Sequence, residues 1–150
     1  SDIPMITPEA IKDLIARCEG ADMYYPLVSK EDCQRVFPDM ERTWVKLAEG
    51  EFTGGNIILI KASKVALAAD PAAAFFAARK SPVQLASLIG IPTLAKLFIH
   101  RLTLGELEKK MGIILGITGK AVQTPYPEIG SDVDKESDYT IISSWLKKAE

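Results

Sequence analysis

A chain of 150 residues that is 47% hydrophobic and 25% charged carries enough apolar material for one core and too much to remain disordered. Its 18 basic and 20 acidic side chains leave a net charge of −2, so no global positive field is available to attract a nucleic-acid backbone, and nucleic acid is excluded as a partner. The cysteines, Cys18 and Cys33, have no CxxC spacing, and no uncharged stretch reaches the roughly 20 residues that cross a bilayer, which together predict a cytoplasmic chain with reduced thiols and no membrane partner.

Thr7, Pro8 and Glu9 supply a helix start: a hydroxyl N-cap, a proline at the first helical position and an acid in the first turn. Ile11, Leu14, Ile15 and Cys18 recur behind them at helical spacing, and Gly20 closes the segment. "DMYYPLV", Asp22 to Val28, predicts a strand, with Pro26 placing it near an edge or an end of its sheet. A short helical turn from Lys30 to Val36 precedes a polar loop around Pro38. Two strands are expected next, Thr43 to Leu47 and Asn56 to Ile60, joined through glycines; the second is a continuous apolar run suited to burial on both faces. From Ser63 to Leu115 the spacing turns helical, with breaks at Asp70-Pro71, Ser81-Pro82, Gly90-Ile91-Pro92 and Leu102-Thr103, which predicts about four or five short helices. Thr103 and Glu106 stand at capping-box spacing. A strand from Gly119 to Thr124 and a final helix from Lys135 to Lys148, with Tyr139, Ile142, Trp145 and Leu146 on its apolar face, complete the chain. The order predicts a single α/β domain over 1–150 with a helical block, 63–115, inside it. A helix leads with no strand before it, so "DIP" at Asp2 to Pro4 reads as the end of a strand.

Chemistry concentrates in two stretches. "EIGSDVDKESDY" sets Asp132, Asp134, Glu136 and Asp138 on alternate positions ahead of the last helix. If extended, the segment aims Asp132 and Asp134 to one side; if helical, Asp134 is an N-cap and Glu136 and Asp138 are first-turn acids favoured by the helix dipole. In "FTGGN", Gly54 and Gly55 let backbone approach a ligand closely, with Thr53 and Asn56 as polar contacts, or else form a plain β-turn. Arg42 and Lys46 flank the preceding strand, where they either attract an acceptor phosphate or are ordinary surface cations. His100, the single histidine, reads as a satisfied surface or core residue, and no side chain is singled out as catalytic.

The "DIP" before a Thr-Pro-capped helix, "EGEFTGGNIILIKA" from Glu49 to Ala62 and "DVDKESDY" from Asp132 to Tyr139 resemble, in that order, the MobA-like (molybdenum-cofactor guanylyltransferase-like) NTP transferases, over the C-terminal portion of such an enzyme. The resemblance implies a partial Rossmann-like nucleotidyltransferase fold, a mixed sheet with flanking helices, lacking the family's N-terminal strands and Gly-rich phosphate loop. It implies transfer of a nucleotidyl group from a nucleoside triphosphate to a phosphorylated small-molecule acceptor, with release of pyrophosphate. Asp2 and Asp134 would hold Mg²⁺, Asp132 is the third candidate ligand, and Thr53, Gly54, Gly55 and Asn56 would line the acceptor side. Mg²⁺ keeps several waters and needs only one or two carboxylates plus substrate phosphates, so binding without nucleotide is expected to be weak. Without a phosphate loop the isolated chain is expected to be inactive. The competing expectation is a non-catalytic binding or oligomerisation module on the same fold, and under both an uncovered sheet edge predicts self-association.

Overall fold

The computed structural model of the protein describes residues 3–78, 81–133, 139, 142 and 143. Its elements in chain order are α1 (Pro8–Ala16), β1 (Met23–Ser29), α2 (Lys30–Val36), β2 (Val45–Leu47), β3 (Gly50–Gly54), β4 (Leu59–Ile60), α3 (Ala62–Ala78), α4 (Pro82–Ile89), α5 (Ile91–Phe98), α6 (Leu104–Leu115) and β5 (Gly119–Gln123), followed by a 3₁₀ turn, Pro127–Gly130. The strands form one mixed sheet centred on β1, which pairs in parallel with β5 and antiparallel with β3 and β4. This is the mixed α/β architecture expected.

Alternate side chains of β1 serve opposite faces, as the pleat requires. Tyr24 joins Ala10, Leu14, Val122 and Ile129 under α1. Tyr25 and Leu27 join Leu47, Phe52, Leu102 and Leu107 on the other face, beneath α5 and α6. A further cluster of Ala68, Leu115 and Ile117 packs α3 against α6 with Met23 at its margin. Helices therefore cover both faces, and the sheet is the middle layer.

Pro26 departs from expectation, because it lies in the central strand rather than at an edge or end. The peptide groups of Leu27 and Met23 point to β5: Leu27 O accepts from Thr124 N at 3.0 Å and Met23 N donates to Thr118 O at 3.0 Å. Pro26 therefore points the other way, where its carbonyl accepts from Gly55 N at 2.8 Å. On that side β3 pairs only from Leu27 onward and β4 only with Met23 and Tyr24, so the missing N–H falls in the gap between two ladders and no bond is lost.

Three strands, not two, occupy 45–60, since Glu49 to Gly54, read as a glycine joint, supplies the strand that pairs with β1. The doubly buried strand "NIILI" is not found: β4 is two residues long, both half-buried, and Ile58 is 44% exposed. The helical block does hold four helices, α3 to α6, yet Asp70-Pro71 breaks nothing, because α3 runs through Pro71. The carbonyl deprived of a partner there belongs to Leu67, an exposed residue, where water can replace the lost bond. On α1 the buried stripe is Ala10 and Leu14, continued past the C-cap by half-buried Cys18, while Ile11 and Ile15 face outward. The expected last helix lies largely outside the described residues; Tyr139, Ile142 and Ser143 are helical, with Ile142 buried and Tyr139 exposed.

Candidate functional site at the carboxyl ends of β1 and β5

Because β1 and β5 run parallel, the segments leaving them emerge at one end of the sheet, the position where open α/β sheets form ligand crevices. Ser29 leaves β1 and caps α2 by accepting from Asp32 N. Thr124 leaves β5 and leads to the 3₁₀ turn. The N-terminus of α1 comes to the same place. Thr7 uses its hydroxyl twice: the oxygen accepts from Ala10 N at 3.2 Å as the N-cap, and the O–H donates to Glu128 Oε1 at 3.0 Å. Glu128 is buried and lies against the N-cap of α1. Segments far apart in the sequence thus meet at the carboxyl ends of β1 and β5.

The meeting extends through a second cluster. Met5, Phe37, Met40 and Ile142 are buried together, with Val36 and Val133 against them. Beside this cluster Arg42 Nη1 donates to Asp132 Oδ1 at 2.9 Å, and its second amino group lies against the Met40 sulfur. Burial pushes the Cys33 thiol up to about 11, and the positive charge of Arg42 opposes that rise. Ser131, also buried, donates its hydroxyl to the Pro127 carbonyl at 2.8 Å and closes the 3₁₀ turn.

Of the expected metal ligands, Asp2 and Asp134 lie outside the described residues. Met5, three residues after Asp2, and Val133, next to Asp134, share one cluster. Asp132 is described, and its carboxylate is paired with Arg42. Among the described residues no group of three or more His, Cys, Asp or Glu side chains is placed to share a cation.

The "FTGGN" stretch is packed rather than looped. Thr53 is buried on β3 opposite Val28, and Gly54 pairs with Leu27. A Cβ on Gly54 would fall 1.9 Å from the Tyr25 hydroxyl oxygen, and one on Gly55 would fall 2.6 Å from Pro26 Cγ and 2.7 Å from Ile129 Cγ2. Neither glycine has positive φ, so what they provide is space, not an unusual turn. Asn56 donates its backbone N–H to Ile129 O at 2.9 Å, and its side chain is exposed. The stretch thereby braces the 3₁₀ turn that carries Glu128. Lys46 pairs with Glu51, and Lys30, which also pairs with Glu51, stands 5.9 Å from the Trp44 ring centre.

Sequence reasoning missed Glu128 and undervalued Arg42. "PYPE" offers only the first-turn acid of a short helix, and nothing local shows that its partner is Thr7. Arg42, expected to attract an acceptor phosphate or to be a surface cation, is instead largely buried and neutralised.

No protein-family model matches the chain, and no curated protein matches it. It is similar to a solved structure from Thermus thermophilus described as a hypothetical transferase, with 43% sequence identity and a TM-score of 0.85. The match covers 91% of this chain and 59% of that one. The two share one mixed α/β fold.

Proposed function

We propose that the chain is the C-terminal portion of a Mg²⁺-dependent transferase that moves a nucleotidyl group from a nucleoside triphosphate to a phosphorylated small molecule, releasing pyrophosphate. The observation that carries this reading is the convergence of the 3–7 and 126–133 segments at the carboxyl ends of β1 and β5, through Thr7–Glu128 and the Met5–Val133 cluster. Similarity to a protein described as a hypothetical transferase supports the broader class.

The donor set fits Mg²⁺ in part. Carboxylate oxygens are the right ligands, and Asp2 and Asp134 directly adjoin the convergent segments in sequence. Asp132 fits poorly, because Arg42 already holds its oxygen. When bound, Mg²⁺ would offset the charge that builds on the phosphoryl oxygens. The chain's own contribution is to hold the crevice rim: Thr7 and Glu128 tie α1 to the 3₁₀ turn, and Gly54, Gly55 and Pro26 pack beneath that turn. Thr53 to Asn56 remain the acceptor-side candidates, with the exposed Asn56 side chain as the group able to reach a ligand.

Calorimetric titration of Mn²⁺ and Mg²⁺ into the chain, with and without nucleoside triphosphate, tests the reading. Binding should depend on both Asp2 and Asp134, and unchanged binding by Asp2→Ala and Asp134→Ala would exclude it. The 150 residues contain no glycine-rich phosphate cradle, so no pyrophosphate release is expected from this chain alone.

A second reading, an assembly module, draws on the β5 edge. Among the described residues β5 pairs only with β1. Its outward N–H at Ala121 is met by Glu108 Oε1 at 2.7 Å, which partly blunts the edge. An assembly module would bind no divalent ion through Asp2 and Asp134, so the same titration separates the two.

A further inference from the structure

We propose that Lys30, Lys46 and Trp44 form a subsite for the phosphate of a phosphorylated small molecule, with Glu51 as the carboxylate that gathers the two ammonium groups and that the phosphate displaces. Calling that molecule the acceptor rests on the transferase reading, though the anion subsite itself does not. Strand register brings the residues together. Lys46 stands opposite Glu51 across the β2 and β3 ladder, and Lys30 follows directly on the Ser29 and Phe52 pair, so it falls beside Glu51 as well. Lys30 Nζ lies 2.7 Å from one oxygen of that carboxylate and Lys46 Nζ 3.3 Å from the other. Among the described ion pairs every other acid takes a single cation. Scattered surface cations avoid one another, whereas these are held together and carry one positive charge more than Glu51 neutralises. Lys30 also stands 5.9 Å from the Trp44 ring centre, at cation–π distance, which sets an aromatic wall beside the charge.

The position suits a ligand of the crevice. Alternation along β3 puts Glu51 on the same face as Thr53, about 7 Å along the strand. Thr53 reaches the 3₁₀ turn, since a Cβ on Gly130 would fall 3.8 Å from Thr53 Cγ2. The Lys30 and Lys46 side chains are 38% and 49% exposed, so a ligand meets them from solvent. Arg42 is already neutralised by Asp132 and does not compete for the anion. An ammonium group offers three N–H donors, more than its contact with Glu51 uses, and a phosphate monoester presents three terminal oxygens and close to two negative charges. Bridging both lysines with that dianion matches their charge better than one carboxylate does.

Backbone-amide and indole NMR of the isotope-labelled chain, titrated with inorganic phosphate and with phenyl phosphate, tests the proposal without metal or nucleotide. Saturable shifts should centre on Lys30, Trp44, Lys46 and Glu51; shifts spread over the other lysines without saturation would overturn it. Lys30→Met and Lys46→Met should each weaken phosphate binding about tenfold, the scale for losing a hydrogen bond to a charged group. Lys46→Arg, which keeps the charge, should bind close to wild type and separates lost charge from lost fold. Glu51→Gln keeps an oxygen for the lysines but drops the competing charge, so it should tighten phosphate binding about fivefold. In a plain surface ion pair the same change would leave binding unchanged or weaker, and either result would end the proposal. Phenyl phosphate should bind several-fold tighter than inorganic phosphate, and Trp44→Leu should erase that margin; a margin that survives would remove Trp44 from the subsite. A chain that binds phosphate here but no Mn²⁺ keeps the subsite and loses the transferase reading, whereas one that binds Mn²⁺ but no phosphate loses the subsite alone.

Discussion

Gly55 shows how a residue can be required without any demand on its dihedral angles. Its absent Cβ is the space that Pro26 and Ile129 occupy, so Gly55→Ala should destabilise the fold by about 1–3 kcal/mol, the range for overpacking a tight contact, as measured by chemical denaturation. At the opposite end of β1, Asp22 takes an ion pair from Lys61 at 2.9 Å and hydrogen bonds from the Thr118 N–H and hydroxyl. The Lys61 bond, followed by those from Thr118, lowers its pKa from 3.8 to about 2. A carboxyl whose folded pKa lies below its unfolded value contributes stability that is complete above the unfolded value. That contribution should be lost between about pH 4 and pH 2 in wild type. Acid titration of Asp22→Asn by circular dichroism should show a shallower fall over the same interval. Cys33, with its thiol raised to about 11, should resist alkylation at pH 8 until the protein is unfolded, which mass spectrometry of pulse-labelled protein would report.

Helix ends carry the next level of information. The end of α5 is a Schellman motif: Arg101 N donates to Lys96 O at 2.8 Å and His100 N to Leu97 O at 3.1 Å. That motif puts its C′ residue in the left-handed region, and His100 occupies it with φ of 56°. Glycine normally stands there because a Cβ is strained. His100→Gly should therefore raise stability by about 0.5–1 kcal/mol, the relief being partly offset by a more flexible unfolded chain. The single histidine is thus placed by a helix stop, and its substitution should leave ligand binding unchanged. Three residues on, Thr103 and Glu106 form the capping box that their spacing predicted, and Glu49 reaches Leu104 N from the hairpin side. The capping box was legible because both partners lie within one turn. The strand β3 was not, because "EGEFTGG" has too little apolar alternation to signal a strand, and its pairing with β1 supplies what propensity does not.

At the scale of the molecule, apolar side chains stay uncovered on several of the described elements. Ile11 and Ile15 face outward on α1, and Val83, Ile91, Phe98 and Ile99 are well exposed on or just after α4 and α5. Together with the β5 edge, this surface predicts concentration-dependent self-association, which light scattering over a dilution series would detect; a monomer at every concentration would count against it. No described helix is long and apolar enough to cross a membrane.

The sequence by itself determined the local devices: the Thr7-Pro8 helix start, the capping box, the helical block and the α/β class. Each depends on residues within a few positions of one another, where periodicity and hydrogen-bonding capacity are readable in one dimension. Only the tertiary structure decided that Pro26 is central, that Gly54 and Gly55 are packed against Tyr25 and Pro26, and that Glu128 and Asp132 are held by Thr7 and Arg42. Those roles arise from contacts between groups far apart along the chain, and a side chain's charge or size does not reveal which distant partner folding will bring to it.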